Sequence, residues 1–298
     1  MSLIFTLKKN DGGFFCQMWK LASNYLFSKK YNLEFYIDDS SWLFTHKLGW
    51  RDYFTSLKLI SECPSISHPI HKEFDVENNC LHQFTLNDYI NIFKEIYILN
   101  DDIEKLYKIQ RNLLPNMYYS IMIRRGDKMY GESKYIETSE YVKKLSNIDH
   151  LDIFIQTDDY TSYEEVYQYI TNNNIKSNII TTCPSNKRGV FGFTYQPSIG
   201  SPISELNNKY LLNLIGISQK TITEYSSEEM KEHVEEMLIG LKICMESQYL
   251  VTDFQSNVTR FLLCTHSNPI NVLSVGDIEC PLFDIPLKCP AKGFIPQL

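Results

Sequence analysis

Two hydrophobic rhythms alternate along the chain. Short apolar runs rich in β-branched or aromatic residues are each followed by a stretch with apolar residues recurring every three to four positions. The first rhythm suits a strand buried on both faces, the second an amphipathic helix. Leu3–Leu7 predicts a strand and Phe14–Lys29 a helix, with Phe15, Met18, Trp19, Leu21, Ala22, Tyr25 and Leu26 on its apolar side. Asn32–Ile37 predicts the next strand, whereas residues 41–84 are aromatic and irregular. Residues 85–114 read as mostly helical, with Thr85 as N-cap and Pro115 just beyond the end.

A second set follows. Strands are predicted at Tyr118–Ile123, Leu151–Gln156, Ile179–Thr181, Tyr249–Thr252 and Ile270–Ser274. Helices are predicted near Ser139–Leu145 and Tyr163–Asn172, over Ser226–Glu246, and from about Ser256. Residues 183–225, with three prolines and four glycines, predict a long loop, and the tail 276–298, with four prolines, an extended wrap. This βα alternation predicts an α/β, doubly wound architecture, and the break near Leu113–Met117 predicts a domain boundary.

Composition narrows the function only a little. The 298 residues suit two domains or one large one, and 43% hydrophobic with 22% charged residues excludes a disordered chain. Lys and Arg number 29 against 36 Asp and Glu, a net charge of −7, which argues against nucleic acid or an anionic membrane as a general partner. Residues 2–8 read as a strand rather than a targeting segment, and the apolar stretch Met237–Met245 is too short for a membrane span. The eight cysteines contain no CxxC and read as reduced thiols, Cys280/Cys289 being the one conceivable pair. The expected setting is therefore cytoplasmic. Richness in Asn, Ile, Lys and Tyr suggests an AT-rich genome, and a host's cytoplasm if that genome is viral.

The most informative segment is IMIRRGDKMYGE, residues 121–132. An apolar strand ends abruptly at Arg124 and Arg125, followed by Gly126, Asp127 and Lys128. Ligands of open α/β sheets sit at the carboxyl ends of strands, and two guanidiniums with an ammonium suit a diphosphate. Asp127 would then orient an arginine, and Glu132, a short loop beyond, could take a proton from a sugar hydroxyl. A solvated basic turn with a surface Glu would read the same.

The extended string IMIRRGDKMYGESKYIETSEYV resembles the signature of the α1,6-fucosyltransferases, including the bacterial nodulation enzymes: [HV]xVRRTDKxxxExxxxxxxEY. Arg124, Arg125, Asp127, Lys128, Glu132, Glu140 and Tyr141 fall on its matching positions. Three further segments follow the family's order. DGGFFCQ, residues 11–17, is similar to its N-terminal glycine loop, where Gly12 and Gly13 would allow close backbone approach to a ligand at a helix start. FIQTDDYTSYEEV, residues 154–166, looks like its strand–TDD–helix element; Asp158 and Asp159 could bind a ribose, a sugar or an arginine, or cap the helix. YLVTDFQSNVTRF, residues 249–261, resembles FLVCTFSSQVCRV: Ser256 falls on the serine that binds the donor β-phosphate, Asn257 replaces a Gln, and Arg260 matches an Arg with a supporting role.

The resemblance implies a GT-B fold of two facing Rossmann-like domains. Residues 1–115 would form the acceptor-side domain and 116–275 the donor-side domain, with 276–298 packing back. It implies inverting transfer of fucose from GDP-fucose to a glycan hydroxyl, with Glu132 as general base and Arg124, Arg125, Lys128 and Ser256 stabilising the departing diphosphate. No metal cofactor is expected: the Asp158–Asp159 pair is not the DxD of metal-dependent transferases, no HxxH, CxxC or carboxylate cluster with metal spacing appears elsewhere, and the basic groups would replace the metal. Lys187, Arg188 and Tyr195 in the loop 183–225 are candidate lid or acceptor contacts. The family's base-reading His and Asp are replaced by Met122 and Gly240. A transferase for another nucleotide sugar, or a non-catalytic glycan- or nucleotide-binding relative, is therefore the alternative.

Overall fold

A computed structural model describes residues 2–9, 12–62, 70–72, 84–129, 133–145, 150–191, 205–214 and 220–276. Glu132, Tyr195, Cys280, Cys289 and the tail after Gly276 lie outside the described residues. The chain divides into two units, Met1–Glu104 with Ser227–Val234, and Lys105–Ser226 with Glu235–Cys280.

In the first unit, β1 (Ser2–Lys8), β2 (Glu34–Ser41), β3 (Lys58–Leu59) and β4 (Ile70–Lys72) form a parallel sheet of order β3-β2-β1-β4. Strand β1 is buried along nearly its whole length, as its unbroken apolar run demands of a strand covered on both faces. Helix α1 (Phe14–Lys30) presses Met18, Trp19, Leu21 and Ala22 into the core and meets α2 (Leu86–Ile96), where Trp19 packs against Tyr89 and Phe93. Thr85 caps α2 in a reciprocal capping box with Asp88.

The predicted helical stretch 85–114 is two helices, α2 and α3 (Asp101–Arg111). The break arises because the intervening backbone pairs elsewhere: Thr55 N–H donates to Ile98 O, and Asn100 N–H to Tyr53 O, both at 2.9 Å. Within the irregular stretch, residues 41–62 likewise have an aromatic core, in which Trp42, Phe44, Trp50, Tyr53 and Phe54 are all buried. Each such ring removes enough apolar surface from water to contribute about 2–3 kcal/mol, so this segment is a packed part of the unit despite its lack of period.

In the second unit, β5 (Tyr119–Ile123), β6 (Asp152–Thr157), β7 (Asn178–Thr181), β8 (Tyr249–Thr252) and β9 (Val272–Ser274) form a parallel sheet of order β7-β6-β5-β8-β9. One face packs Ile121, Ile123, Ile153, Ile155 and Val251 against Tyr141 and Val142 of α4 (Thr138–Lys144) and Val166 and Ile170 of α5 (Tyr160–Asn172). On the other side, Tyr118 Oη donates to the Ile243 carbonyl of α7 (Ser227–Glu246) at 2.7 Å. Helix α6 (Glu205–Asn213) lies within the stretch predicted as loop, and α8 (Asn257–Thr265) follows β8. In both sheets the chain reverses its winding at the first strand, β1 or β5. In doubly wound proteins the ligand crevice opens at such a switch point, outside the carboxyl ends of the strands.

Among the described residues no helix is long and apolar enough to cross a membrane. Cys16, Cys183, Cys244 and Cys264 are free thiols, the last three buried.

Candidate functional site

The carboxyl end of β5 lies at the switch point of the second sheet, and its contacts follow from strand register. Ile123 pairs with Thr157, so the next residues of β5 and β6 are Arg124 and Asp158. Arg124 Nη1 donates to Asp158 Oδ2 and, at 2.6 Å, to the Arg125 carbonyl, while Nη2 donates to Asp127 Oδ1 at 2.7 Å. The guanidinium is thus clamped between two carboxylates.

Asp158 is the hub of this end. Its Oδ1 accepts from Arg125 N–H at 2.7 Å, and its Oδ2 accepts from both Arg124 and Val190 N–H, the latter at 3.2 Å. Val190 returns the tie, its carbonyl accepting from Asp127 N–H at 3.0 Å. Gly126 sits beneath this crossing with φ +64, where a Cβ would run into the Val190 backbone, so both the turn and the close approach call for glycine. Asp159 has another task. It caps α5, its Oδ1 accepting from Thr161 N–H at 3.0 Å, and its Oδ2 accepts from Tyr210 Oη at 2.7 Å. Of the roles open to the Asp pair, arginine pairing falls to Asp158 and helix capping to Asp159.

Arg125 points the other way. Its side chain is only 1% exposed, its guanidinium stacks 4.1 Å from the Tyr135 ring centre, and Nη2 donates to the Ile136 carbonyl at 2.7 Å. Burial raises the Tyr135 hydroxyl to about 12, with the Arg125 charge opposing. Arg125 therefore braces the loop from below, in a cage of tyrosines, rather than presenting its fork to solvent. Lys128 follows in the helical turn Gly126–Met129 and is half-buried.

Two residues of α6, absent from the sequence reading, hold this loop from outside. Asn207 Nδ2 donates to the carbonyls of Met129 (2.9 Å) and Ser133 (2.8 Å), and its Oδ1 accepts from Tyr135 N–H at 2.8 Å. Tyr210 Oη accepts from Gly126 N–H at 3.1 Å. Their signal in the sequence is only an i, i+3 pair of polar residues on one helical face. Lys187 and Arg188 lie in the segment stitched on just beyond β6: the backbones of Asp159 and Arg188 pair in an isolated antiparallel β-bridge, and Tyr160 N–H donates to Lys187 O at 3.0 Å.

The neighbouring strand β8 contributes the second part. Ser256 caps α8, its hydroxyl accepting from Thr259 N–H at 3.4 Å, and Asn257 opens that helix. Arg260, buried, donates from Nε to the Phe254 carbonyl at 3.0 Å and so fixes the turn before the cap. Gln255 is tied to the arginine side by Lys134, whose N–H donates to Gln255 Oε1 at 2.7 Å and whose carbonyl accepts from Gln255 Nε2 at 3.1 Å. Tyr141 Oη donates to Asp253 Oδ2 at 2.8 Å. The second unit thus brings Arg124, Asp127 and Lys128 to one strand end, and Ser256 and Asn257 to the adjacent one.

Gly12 and Gly13 lie in the first unit, between β1 and α1, with Gly13 as the cap residue of α1. Gln17, also unassigned in the sequence reading, closes their loop: its Nε2 donates to Lys8 O (2.9 Å) and Gly12 O (3.2 Å), and its Oε1 accepts from Lys8 N–H at 3.2 Å. Met122 is buried in β5, and a side chain at Gly240 would collide with the carboxamide of Gln156. Among the described residues no group of His, Cys, Asp and Glu is arranged to hold a metal ion.

No protein-family model matches this sequence, and no curated protein matches it significantly. Solved structures do. The chain is similar to the NodZ α-1,6-fucosyltransferase in a crystal soaked with GDP-fucose, with TM-score 0.51 and 13% identity over 88% of this chain and 91% of that one. It is similar to fucosyltransferase NodZ from Bradyrhizobium, with TM-score 0.52 and 12% identity over 87% and 91%. A substituted form of Arabidopsis thaliana FUT1 in complex with GDP matches at TM-score 0.52 and 8% identity, over 92% of this chain and 70% of that one. At such identities the likeness shows the fold: α/β, with two Rossmann-like units, of the GT-B class found in fucosyltransferases.

Proposed function

We propose that this chain is an inverting, metal-independent glycosyltransferase that moves fucose from GDP-fucose to a glycan hydroxyl. The observation that carries the reading is the oriented guanidinium of Arg124 at the carboxyl end of β5, beside the serine-capped start of α8 at the end of β8. A diphosphate fits such a place: a forked cation on one side and converging hydroxyl and N–H donors on the other. The structural neighbours crystallised with GDP-fucose or GDP support the same donor.

In this reading Arg124, Lys128, Ser256 and Asn257 contact the diphosphate. Arg125, Asp127, Asp158, Asp159 and Arg260 position them. Gly12 and Gly13 keep their expected part in close backbone approach to ligand. The acceptor oxygen attacks the anomeric carbon, the bond from that carbon to the diphosphate breaks through an oxocarbenium-like transition state, and the hydroxyl proton passes to Glu132. Arg124 acts by stabilising charge that grows on the leaving diphosphate, so its contribution is larger in the transition state than in the ground state. Residues 1–115 would serve the acceptor and 116–275 the donor, in a cytoplasmic enzyme.

Donor-hydrolysis and transfer assays of wild type, Arg124→Ala and Glu132→Gln test the mechanism. Loss of turnover by roughly 100-fold or more in each is expected. Turnover indifferent to both changes would remove the mechanism, and an obligatory need for Mg²⁺ or Mn²⁺ would remove its metal-independent form. A second donor class is favoured by one observation, the absence of a base-reading side chain at Met122 and Gly240. GDP, UDP and dTDP compared by calorimetry separate the two.

A further inference from the structure

A polar cluster beside the arginine loop has no part in the phosphate site. Helix α7 carries Glu236 and, one turn later on the same face, Gly240. Glu236 Oε2 accepts from Lys187 Nζ at 2.5 Å, but Oε1 is buried and has no hydrogen-bond partner among the described residues. Burial raises the pKa of this carboxyl, with the Lys187 charge and hydrogen bond opposing. Gln156 of β6 fills the notch left by Gly240. It is 4% exposed, and among the described residues its carboxamide makes one weak contact, accepting from Thr182 Oγ1 at 3.5 Å, which leaves Nε2 without an acceptor there.

Strand geometry puts this cluster on the side of the sheet that Arg124 uses. Gln156 pairs with Met122 in parallel register, so their side chains share a face, and Arg124 and Asp158 follow two residues later on that same face. Lys187 reaches the cluster from the segment whose Gly189 and Val190 bind Asp158. A buried carboxylate oxygen without a donor is costly to leave unmatched in a folded protein, and the Gln156 amide nitrogen has no acceptor either among the described residues. Together they complement one edge of guanine: O6 accepts from an amide N–H, and N1–H and the 2-amino group donate to a carboxylate.

We infer that Glu236, with Gln156, is the base-reading pair of this chain, taking the place left open at Met122 and Gly240 and selecting a guanine nucleoside diphosphate. The inference rests on the nucleotide-sugar reading above. Hypoxanthine lacks the 2-amino group, adenine also lacks the N1 proton and O6, and uracil offers a single N–H between two carbonyls.

Calorimetric titration of the full chain with GDP, IDP, ADP and UDP is the test. The expected order is GDP tightest, IDP weaker by roughly 10- to 100-fold for the lost hydrogen bond to a charged acceptor, and ADP and UDP weaker still. In Glu236→Gln the GDP-to-IDP ratio should fall to near one, whereas in Gln156→Leu GDP and IDP should weaken together, with far-UV circular dichroism unchanged in both. Wild type that binds all four equally would overturn the inference and leave the diphosphate site standing. So would a GDP-to-IDP ratio that survives Glu236→Gln. Failure to bind any of the four would overturn the nucleotide-sugar reading itself, and this inference with it.

Discussion

Asp158→Asn tests the site where it is most concentrated. The substitution keeps the shape and one acceptor oxygen, which can still serve Arg125 N–H. The other position becomes an amide NH2 facing Arg124 Nη1, which keeps only the Arg125 carbonyl, and Val190 N–H, which loses its acceptor. Removing one partner of a buried ion pair costs about 3–5 kcal/mol. Here the Arg124 and Asp158 side chains are 15% and 11% exposed, so solvent screening reduces the expected loss to about 2–3 kcal/mol. For a unit of this size that is a fall of about 4–12 °C in the melting transition that includes the second unit. The functional effect is separate. Arg124 retains Asp127 but loses the carboxylate that fixes its other nitrogen, so diphosphate affinity should fall about tenfold or more. Differential scanning calorimetry and GDP titration read the two quantities on one sample. A variant melting within 2 °C of wild type (well below the shift worked out above) and binding GDP normally would refute the view that Asp158 assembles the loop.

Other outcomes follow from the same geometry. Arg125→Met should lower stability by about 3 kcal/mol or more, through loss of the Tyr135 stack and an orphaned Ile136 carbonyl, whereas Arg124→Ala should mainly lower diphosphate affinity; denaturation and titration of both would expose a reversed pattern. Gly126→Ala should destabilise by about 1–3 kcal/mol, measurable in urea, because it combines a positive φ with a collision at Val190. Ser256→Ala should cost about 1 kcal/mol for the lost cap and, separately, weaken GDP more than guanosine. Burial lifts the Glu236 carboxyl above its ordinary 4.5, so the folded chain holds this proton more tightly than the unfolded chain does. That stabilisation is complete below pH ~4.5 and is lost as pH rises through the raised value, so the stability of wild type relative to Glu236→Gln should decline with rising pH; a rise in urea-midpoint series would contradict the sign.

What was legible in the sequence was whatever local chemistry decides. The βα rhythm located β1, α1, β5, β6, β8 and α7 because their apolar periods are long or unbroken. The turn after β5 and the Ser256 cap were legible because an apolar run that stops at charged residues marks a strand end, and a serine before a helical run marks a cap. Strands β3 and β4 were not: each is two or three residues long, too short for a period of two to register, and is held by its neighbours in the sheet. Helix α6 was hidden by the glycines and prolines around it, and its value to the site lies in Asn207 and Tyr210, whose partners are some 50–85 residues away in sequence. Such contacts leave no local trace.

The adjacent arginines show how one motif divides its labour, and the division follows from elementary strand geometry. Successive side chains on a strand alternate between faces, and the alternation persists through the first residues past Ile123. Arg124 continues the face of Met122, where Asp158 and Asp127 receive it; Arg125 continues the face of Ile121 and Ile123, which α4 covers. A guanidinium on the covered face has no water, so it survives only with partners, and Tyr135 and the Ile136 carbonyl are there to supply them. A guanidinium on the other face is held by carboxylates that set its angle, and it keeps a small exposed edge. Two identical residues therefore read as an equivalent pair in one dimension, and separate into a buried brace and a carboxylate-held guanidinium in three. The acidic balance of the whole chain, −7, does not oppose this, because Asp127 and Asp158 are the groups that keep Arg124 in place.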